Sequence, residues 1–384
     1  MEFSLSDDQI AIQDTARRFA TDRLAPDYQK RETDGGFDRD LLQEMGGLGL
    51  IGISLPEEYG GLEQDSVTTG VVIEAIAQGD INVSYVQLIS NLLGTIVTQH
   101  GNPELTAEVV PKLCSGEVLM ALGLTEPGGG SDAANLRLKA RREDDVYILD
   151  GEKTSISMAD QSQEIMVLGR SGATDEKAHG ITAFLVPLDA PGISTGRFED
   201  LGAAVVGRGS VFFDSVRVDT ERRLGKEGDG FRQIMNGFDY SRALIGLQCI
   251  ATARASLEET WEYVTQRQAF GQPIARYQGV TQPLAEAETL LEAARLLCFK
   301  TLWLRDNELP HTSEAAMCKW WAPQVAFDVI HRCLITHGHY GYAQDLPHQQ
   351  RLRDVLGAEI GDGTEQIQKM VISREKIGRV AVPY

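Results

Sequence analysis

The stretch Val146-Tyr147-Ile148-Leu149-Asp150-Gly151 decides how the chain is read. Four residues suited to a pleated strand run into Asp-Gly, a pair that closes tight hairpins. Short runs of the same kind follow at Ile165 to Leu168, Ile181 to Val186 and Val211 to Val218, divided by Gly, Pro and Asp. Outward from this centre the hydrophobic period becomes helical. Toward the N-terminus, from Asp7 to about Leu113, Ile10, Ala11 and Ala16 to Phe19 open an amphipathic pattern that Leu41, Leu42 and Met45 continue. Val67 to Val97 is mostly apolar and predicts a helix buried on several sides. Toward the C-terminus, helical patterns cover 231–265, 279–307, 313–335 and 365–377, the third with a kink expected at Pro323. Helices, then strands, then helices, without βαβ alternation, predict an α+β chain rather than a doubly wound sheet. The expected units are an N-terminal α-helical domain (1–117), a middle antiparallel β domain (118–226) and a C-terminal helical-bundle domain (227–384).

With 384 residues, 42% hydrophobic and 24% charged, the chain has material for several packed cores. Its net charge of −20 disfavours nucleic acid and anionic membrane surfaces as partners. The five cysteines are scattered and form no CxxC pair, which indicates neither a disulfide framework nor a zinc site. A reduced, cytoplasmic setting is expected. The opening MEFSLSDDQI lacks the basic and apolar regions of a secretory signal. No uncharged apolar run is expected to approach about 18 residues, so no membrane span is expected. His331, Cys333, His337 and His339 resemble ligands only in a list. On a helix His331 and His337 would point about 240° apart, so no metal site is expected.

Three glycine-bearing stretches carry different weight. Gly47 to Gly52 spells GxGxxG, but a helical run precedes it where a dinucleotide fingerprint needs a strand. Leu124-Thr125-Glu126-Pro127-Gly128-Gly129-Gly130-Ser131-Asp132 sets three glycines between two hydroxyls. That suits backbone amides approaching an anionic or planar ligand, and it also suits a plain turn. Gly361-Asp362-Gly363-Thr364 holds one carboxylate between glycines ahead of a helical run. It reads as a helix start, with Asp362 and Glu365 spaced like a capping box, or as an acid offered to a ligand.

The Leu124–Asp132 stretch closely resembles a signature of the acyl-CoA dehydrogenase family of flavoenzymes. The resemblance extends to Leu55-Pro56-Glu57-Glu58-Tyr59-Gly60-Gly61, to Arg267 through Ile274 followed by Gln278, to Gly338 through Tyr342, to Arg351 through Asp354, and to Gly363 through Gln368. These segments keep the family's order and spacing. The resemblance implies FAD as cofactor. Leu124, Thr125, Gly130 and Ser131 would border it, and Ser155, Ile156 and Ser157 would lie against its ring. Arg267, Phe270 and Gln278 would reach its pyrophosphate and adenine side, on a neighbouring subunit, and Gly338, Thr364 and Gln366 would meet it again. Ser131, Asp239 and Arg242 would contact the CoA part of an acyl-CoA substrate, with Asn91, Gly361 and Gly363 nearer the acyl group. Asp362 stands where the family places its catalytic base, usually glutamate. That base would take the α-proton while a hydride leaves the β-carbon. A homotetramer passing electrons to electron-transfer flavoprotein is implied as well.

The departures from the family pattern matter more than the matches. Aspartate reaches about 1.5 Å less far than glutamate. Gly361 stands where relatives often carry tyrosine, Ser155 where many carry tryptophan, and Ser157 where many carry threonine. Ile335 and His339 replace a glutamine and a glycine. A shorter base beside a glycine implies a wider cavity, suited to an α-branched or alicyclic group such as cyclohexane-1-carboxyl-CoA. A base elsewhere finds little support: Ser241 holds the position before the CoA-contacting arginine, and Ile81 to Val97 offers only Asn82 and Asn91. A flavin oxidase on the same fold, of the nitroalkane- or acyl-CoA-oxidase kind, is a second reading. A DNA-binding relative is a third, disfavoured by the acidic charge.

Overall fold

A computed structural model describes residues 4–382 of the chain; the first three residues of the opening stretch read for a signal lie outside them. The N-terminal part holds α1 (Asp7–Phe19), α2 (Tyr28–Asp34), α3 (Arg39–Gly47), α4 (Ser66–Gly79), α5 (Ile81–His100) and α6 (Pro103–Cys114). Ser6 and Gln9 form a reciprocal capping box that starts α1. The buried face of α1 is Gln13, Ala16 and Phe19, whereas Ile10 is 45% exposed. Gly47 to Gly52 is the turn after α3. A Cβ on Gly52 would lie 2.5 Å from Cys114 Sγ, so that glycine serves close packing.

Two expectations for this part need correction. The apolar stretch 67–97 is two helices, not one. Gly79 packs against Ala20, whose carbonyl oxygen would lie 2.7 Å from an added Cβ. Asp80 then leaves the helix and caps α5, accepting from Asn82 N at 2.8 Å while pairing with Arg31 at 2.7 Å. Residues 81–99 also carry no charge, so a run of membrane-spanning length and apolarity does exist. Its most apolar window is 78% buried inside the fold, which accounts for the composition as that of a core helix.

The middle part is one eight-stranded sheet. Its strands are β1 (Met120–Gly123), β2 (Lys139–Glu143), β3 (Val146–Ser157), β4 (Glu164–Arg170), β5 (Ile181–Pro187), β6 (Ile193–Arg197), β7 (Arg208–Asp219) and β8 (Arg223–Leu224). The order is β6-β7-β3-β2-β4-β5-β8, with β1 beside β4. Most pairs are antiparallel, as expected; β1 with β4 and the short β2–β4 contact are parallel. Alternate residues of β3, β5 and β7, among them Tyr147, Leu149, Phe184, Val186, Val216 and Val218, fill its core.

The C-terminal part packs α7 (Gly230–Gln266), α8 (Gln278–Asp306) and α9 (Thr312–Thr336) around Leu244, Leu257, Leu291, Leu302, Val329 and the cysteines Cys249, Cys298, Cys318 and Cys333. A two-strand hairpin, β9 (Gln268–Ala269) and β10 (Gln272–Pro273), joins α7 to α8. Pro323 sits inside α9 without ending it. After α9 come α10 (His339–Tyr342), α11 (His348–Ala358) and α12 (Glu365–Ile377). No helical pattern announced α11, because its buried face is mostly polar: His348, Gln350, Arg351 and Asp354 beside Val355. Arg351 and Asp354 are matched by partners, and Gln350 Nε2 donates to Tyr28 O at 3.3 Å, whereas His348 Nδ1 and Gln350 Oε1 have none among the described residues. Asp354 accepts from Tyr28 Oη at 2.6 Å, Asn82 Nδ2 at 2.8 Å and Ala203 N at 2.6 Å, so one carboxylate joins the helical parts and the loop between β6 and β7.

Candidate active site

One wall of the site is the loop 124–132 with the end of β3. The loop hangs on Lys153, whose fully buried Nζ donates to Glu126 Oε1 at 2.8 Å and to Leu124 O at 3.1 Å. Glu126 also accepts from Arg137 N at 2.6 Å and Leu138 N at 2.8 Å. Thr154 N donates to Thr125 O at 2.9 Å. The carbonyls of Leu124 and Thr125 are therefore used by the fold, while Thr125, Gly130 and Ser131 line an open side. A Cβ on Gly128 or Gly129 would meet nothing within 4 Å. The β3 register against β7 slips between Lys153 and Ile156, and Ser155 takes φ 56° in the slip. Ile156 turns into the core, 2% exposed, leaving Ser155 and Ser157 on the open face.

The opposite wall is the turn between α11 and α12. Asp362 has φ 54° and Gly363 φ 100°, a left-handed turn that aspartate tolerates better than most residues. The cap reading does not hold: Thr364 is the N-cap of α12 and its side chain makes no capping bond. The Asp362 carboxylate instead accepts from Ser241 Oγ on α7 at 3.0 Å. Its backbone is pinned separately. Gln368 Nε2 donates to Asp362 O at 2.9 Å, and buried Lys319 Nζ donates to Gly363 O at 3.3 Å. Lys319 and Arg242 both feel the Asp362 charge, which offsets part of the lowering that burial imposes on each.

Tyr85 of α5 connects the two walls. Its ring is half-buried and its hydroxyl end enclosed. Burial first, and the Asp362 charge next, push that hydroxyl up to about 12, while a hydrogen bond with the Ser157 side chain acts the other way. Ser157 of the serine wall and Asp362 of the opposite wall thus both act on one tyrosine hydroxyl. Arg242 is 7% exposed, ion-paired with Asp239 at 2.8 Å, and its Nε has no partner among the described residues. Asp239 also accepts from Thr312 Oγ1 at 2.6 Å.

Other expected site residues fall elsewhere. Asn91 is a correction: it is fully buried, and its amide is spent on Ile51 O and Gln87 O (both 2.7 Å) and on Ser54 N at 2.8 Å. It braces the 51–54 turn and has nothing left for substrate. Arg267, Phe270 and Gln278 lie exposed on or beside the α7–α8 hairpin; Phe270 is 97% exposed, and Arg267 sits 6.0 Å from the Tyr340 ring. Gly338 takes φ 62° at the end of α9 with open space around it, and Gln366 is exposed on α12. The sequence reading missed Tyr85, Lys319 and the role of Ser241. A lysine within the apolar run Ala315 to Trp321 was the available signal for one of them.

A glycine loop open to a ligand, two outward serines and a carboxylate facing them across a tyrosine define a site for a large, partly planar, anionic cofactor beside an acid–base group. The chain belongs to the acyl-CoA dehydrogenase family: the family's N-terminal, middle and C-terminal domain models match residues 6–117, 121–216 and 228–377. It is similar to benzylmalonyl-CoA dehydrogenase of Aromatoleum aromaticum, at 35% identity over 98% of this chain and 99% of that protein. It is similar also to cyclohexane-1-carbonyl-CoA dehydrogenase of Geobacter metallireducens, at 32% identity over 99% and 100% of the two chains. The solved structure of PigA with FAD and proline superposes with a TM-score of 0.95 at 26% identity, covering 99% of this chain and 100% of that one. The protein is an oxidoreductase with FAD as cofactor and an acyl-CoA as substrate. The open Gly128-Gly129 backbone and the hydroxyls of Ser131, Ser155 and Ser157 fit that cofactor.

Proposed function

We propose that the chain removes two hydrogens from Cα and Cβ of an α-branched or alicyclic acyl-CoA, cyclohexane-1-carboxyl-CoA being the type case, with Asp362 as the base. FAD, when bound against the serine wall, supplies the hydride acceptor. The Asp362 carboxylate takes the α-proton from the opposite side. Among the described residues the backbone N–H groups of Asp362, Gly363 and Thr364 have no acceptor. They are free to meet the thioester oxygen as negative charge develops on it. Arg242 and Asp239 hold the CoA end, the unpartnered Arg242 Nε being the donor left over for it.

One observation carries the acyl-group reading. A Cβ at Gly361 would meet only Gly357 O, at 3.9 Å, and the backbone there has no left-handed φ. Neither strain nor crowding requires glycine, so its bareness leaves space beside a base that is already short. Anaerobic bleaching of the flavin by a panel of acyl-CoAs tests this. Alicyclic and α-branched thioesters should bleach fastest; butyryl- or octanoyl-CoA leading the panel would reject the reading.

The reading keeps electron-transfer flavoprotein as acceptor, a homotetramer that brings the bare Phe270 and Arg267 hairpin against a second chain, and a cytoplasmic setting that preserves five free, buried thiols. The oxidase reading draws support from Ser155, a small exposed residue at the serine wall. Stoichiometric peroxide release in air, with no reduction of electron-transfer flavoprotein, would favour it.

A further inference from the structure

We infer that Ser241 is the positioning residue for the base. The inference rests on the reading of Asp362 as the proton acceptor. Ser241 is completely buried on α7 and 121 residues distant in sequence from its partner. Its Oγ lies 3.0 Å from Asp362 Oδ2 and 3.3 Å from Phe238 O. A hydroxyl has one proton to give, and a carboxylate is a stronger acceptor than a helical carbonyl. The ordinary role of a helical serine, bonding back to the preceding turn, is thus the weaker of its two options.

Among the described residues Ser241 alone donates to the Asp362 carboxylate. Gln368 and Lys319 hold only the backbone carbonyls of the turn, so they fix where the side chain starts but not where it points. Aspartate has few torsions, and this one leaves a left-handed backbone. Tying Oδ2 to α7 sets the carboxylate plane and leaves Oδ1 to receive the proton. In the reaction the substrate Cα–H bond breaks, its proton passes to Oδ1 and its electrons remain with the substrate carbon. Ser241 keeps its own proton throughout.

The experiment uses the dithionite-reduced holoenzyme and the thioester that bleaches the oxidised flavin fastest. Reduced enzyme cannot take up hydride, so exchange of the Cα hydrogen for solvent deuterium reports the base alone. Ser241→Ala removes one oxygen and should slow exchange ~10- to 100-fold, the loss expected for a charge-assisted hydrogen bond. KM should stay unchanged. Ser241→Thr should recover most of the exchange; Ser241→Cys, close in volume with a weaker donor, should fall between. A readout independent of turnover is the infrared carboxylate band of Asp362 in oxidised holoenzyme without substrate, isolated by difference from Asp362→Asn. It should shift in Ser241→Ala. If Asp362→Asn abolishes exchange while Ser241→Ala leaves exchange and band unaltered, the positioning role is overturned and the base assignment stands. If Asp362→Asn still exchanges, the base assignment falls and the positioning role with it.

Discussion

Lys153 and Glu126 form a buried ion pair at 2.8 Å, with the lysine side chain fully enclosed and the glutamate 9% exposed. Burial lowers the ammonium to about 8, and the Glu126 charge keeps it from falling further. The pair ties β3 to the loop that would border FAD, because Glu126 also holds Arg137 N and Leu138 N. Lys153→Met leaves that carboxylate buried without its cation, which should cost about 3–5 kcal/mol of stability. The purified variant should carry less flavin per chain and melt lower. A full flavin complement with an unchanged Tm would show that the loop holds its shape without the pair.

Replacing Asp362 by Asn keeps the size of the side chain and its place beside Ser241 while removing the proton acceptor. Turnover should fall by about 10²–10⁴, the usual contribution of a positioned base. Flavin content and CoA affinity should be unaltered, because the serine wall and the Arg242–Asp239 pair are untouched. Comparable turnover in both proteins would move the base elsewhere.

Gly361→Tyr tests the cavity. The backbone tolerates a side chain there, and nothing lies closer than 3.9 Å to the first added carbon. An aromatic ring should fill the space beside the short acid. The ratio of kcat/KM for alicyclic over straight-chain thioesters should drop at least about 10-fold, the scale of discrimination that pocket shape provides. An unchanged ratio would place the acyl group away from residue 361.

The α–β–α order was legible because each part signals locally. Short β-rich runs mark β3, β5 and β7, and helical spacing marks α7 to α9, but Asp150-Gly151, expected to turn the chain, lies inside β3 at a register shift against β7. What escaped lay where polar residues occupy buried faces. The inward side of α11 is His348, Gln350, Arg351 and Asp354, so hydropathy shows no stripe, and only partners up to 326 residues away make that face stable. The break at Asp80 was hidden because an apolar period counts neither a cap nor a close glycine contact. At the site, motif spacing pointed to Asp362 and to the serines, while Tyr85 and Ser241 gain meaning only from neighbours distant in sequence. Asn91 was over-read for the converse reason: an amide on a buried helix looks available until its carbonyl partners are known.

Acid stability offers a last test, centred on His348. Its ring is buried, tilted against His337 with centroids 4.4 Å apart, and its Nδ1 has no partner among the described residues. Arg351 takes up Glu259 through two bonds of 2.8 Å, which leaves that carboxylate at 3.8 Å as a weak partner for the imidazole. Burial, helped by His337 and Arg351, therefore lowers the ring from 6.5 to about 4. The unfolded chain takes up a proton near its ordinary value while the native protein resists until about 4. Stability is thus complete above about 6.5 and is lost as pH falls toward 4, by roughly 3 kcal/mol for this group. His348→Gln removes the titration, so its stability should fall less steeply across that window than the parent's. Parallel curves of unfolding free energy against pH for the two proteins would assign the acid sensitivity to other groups.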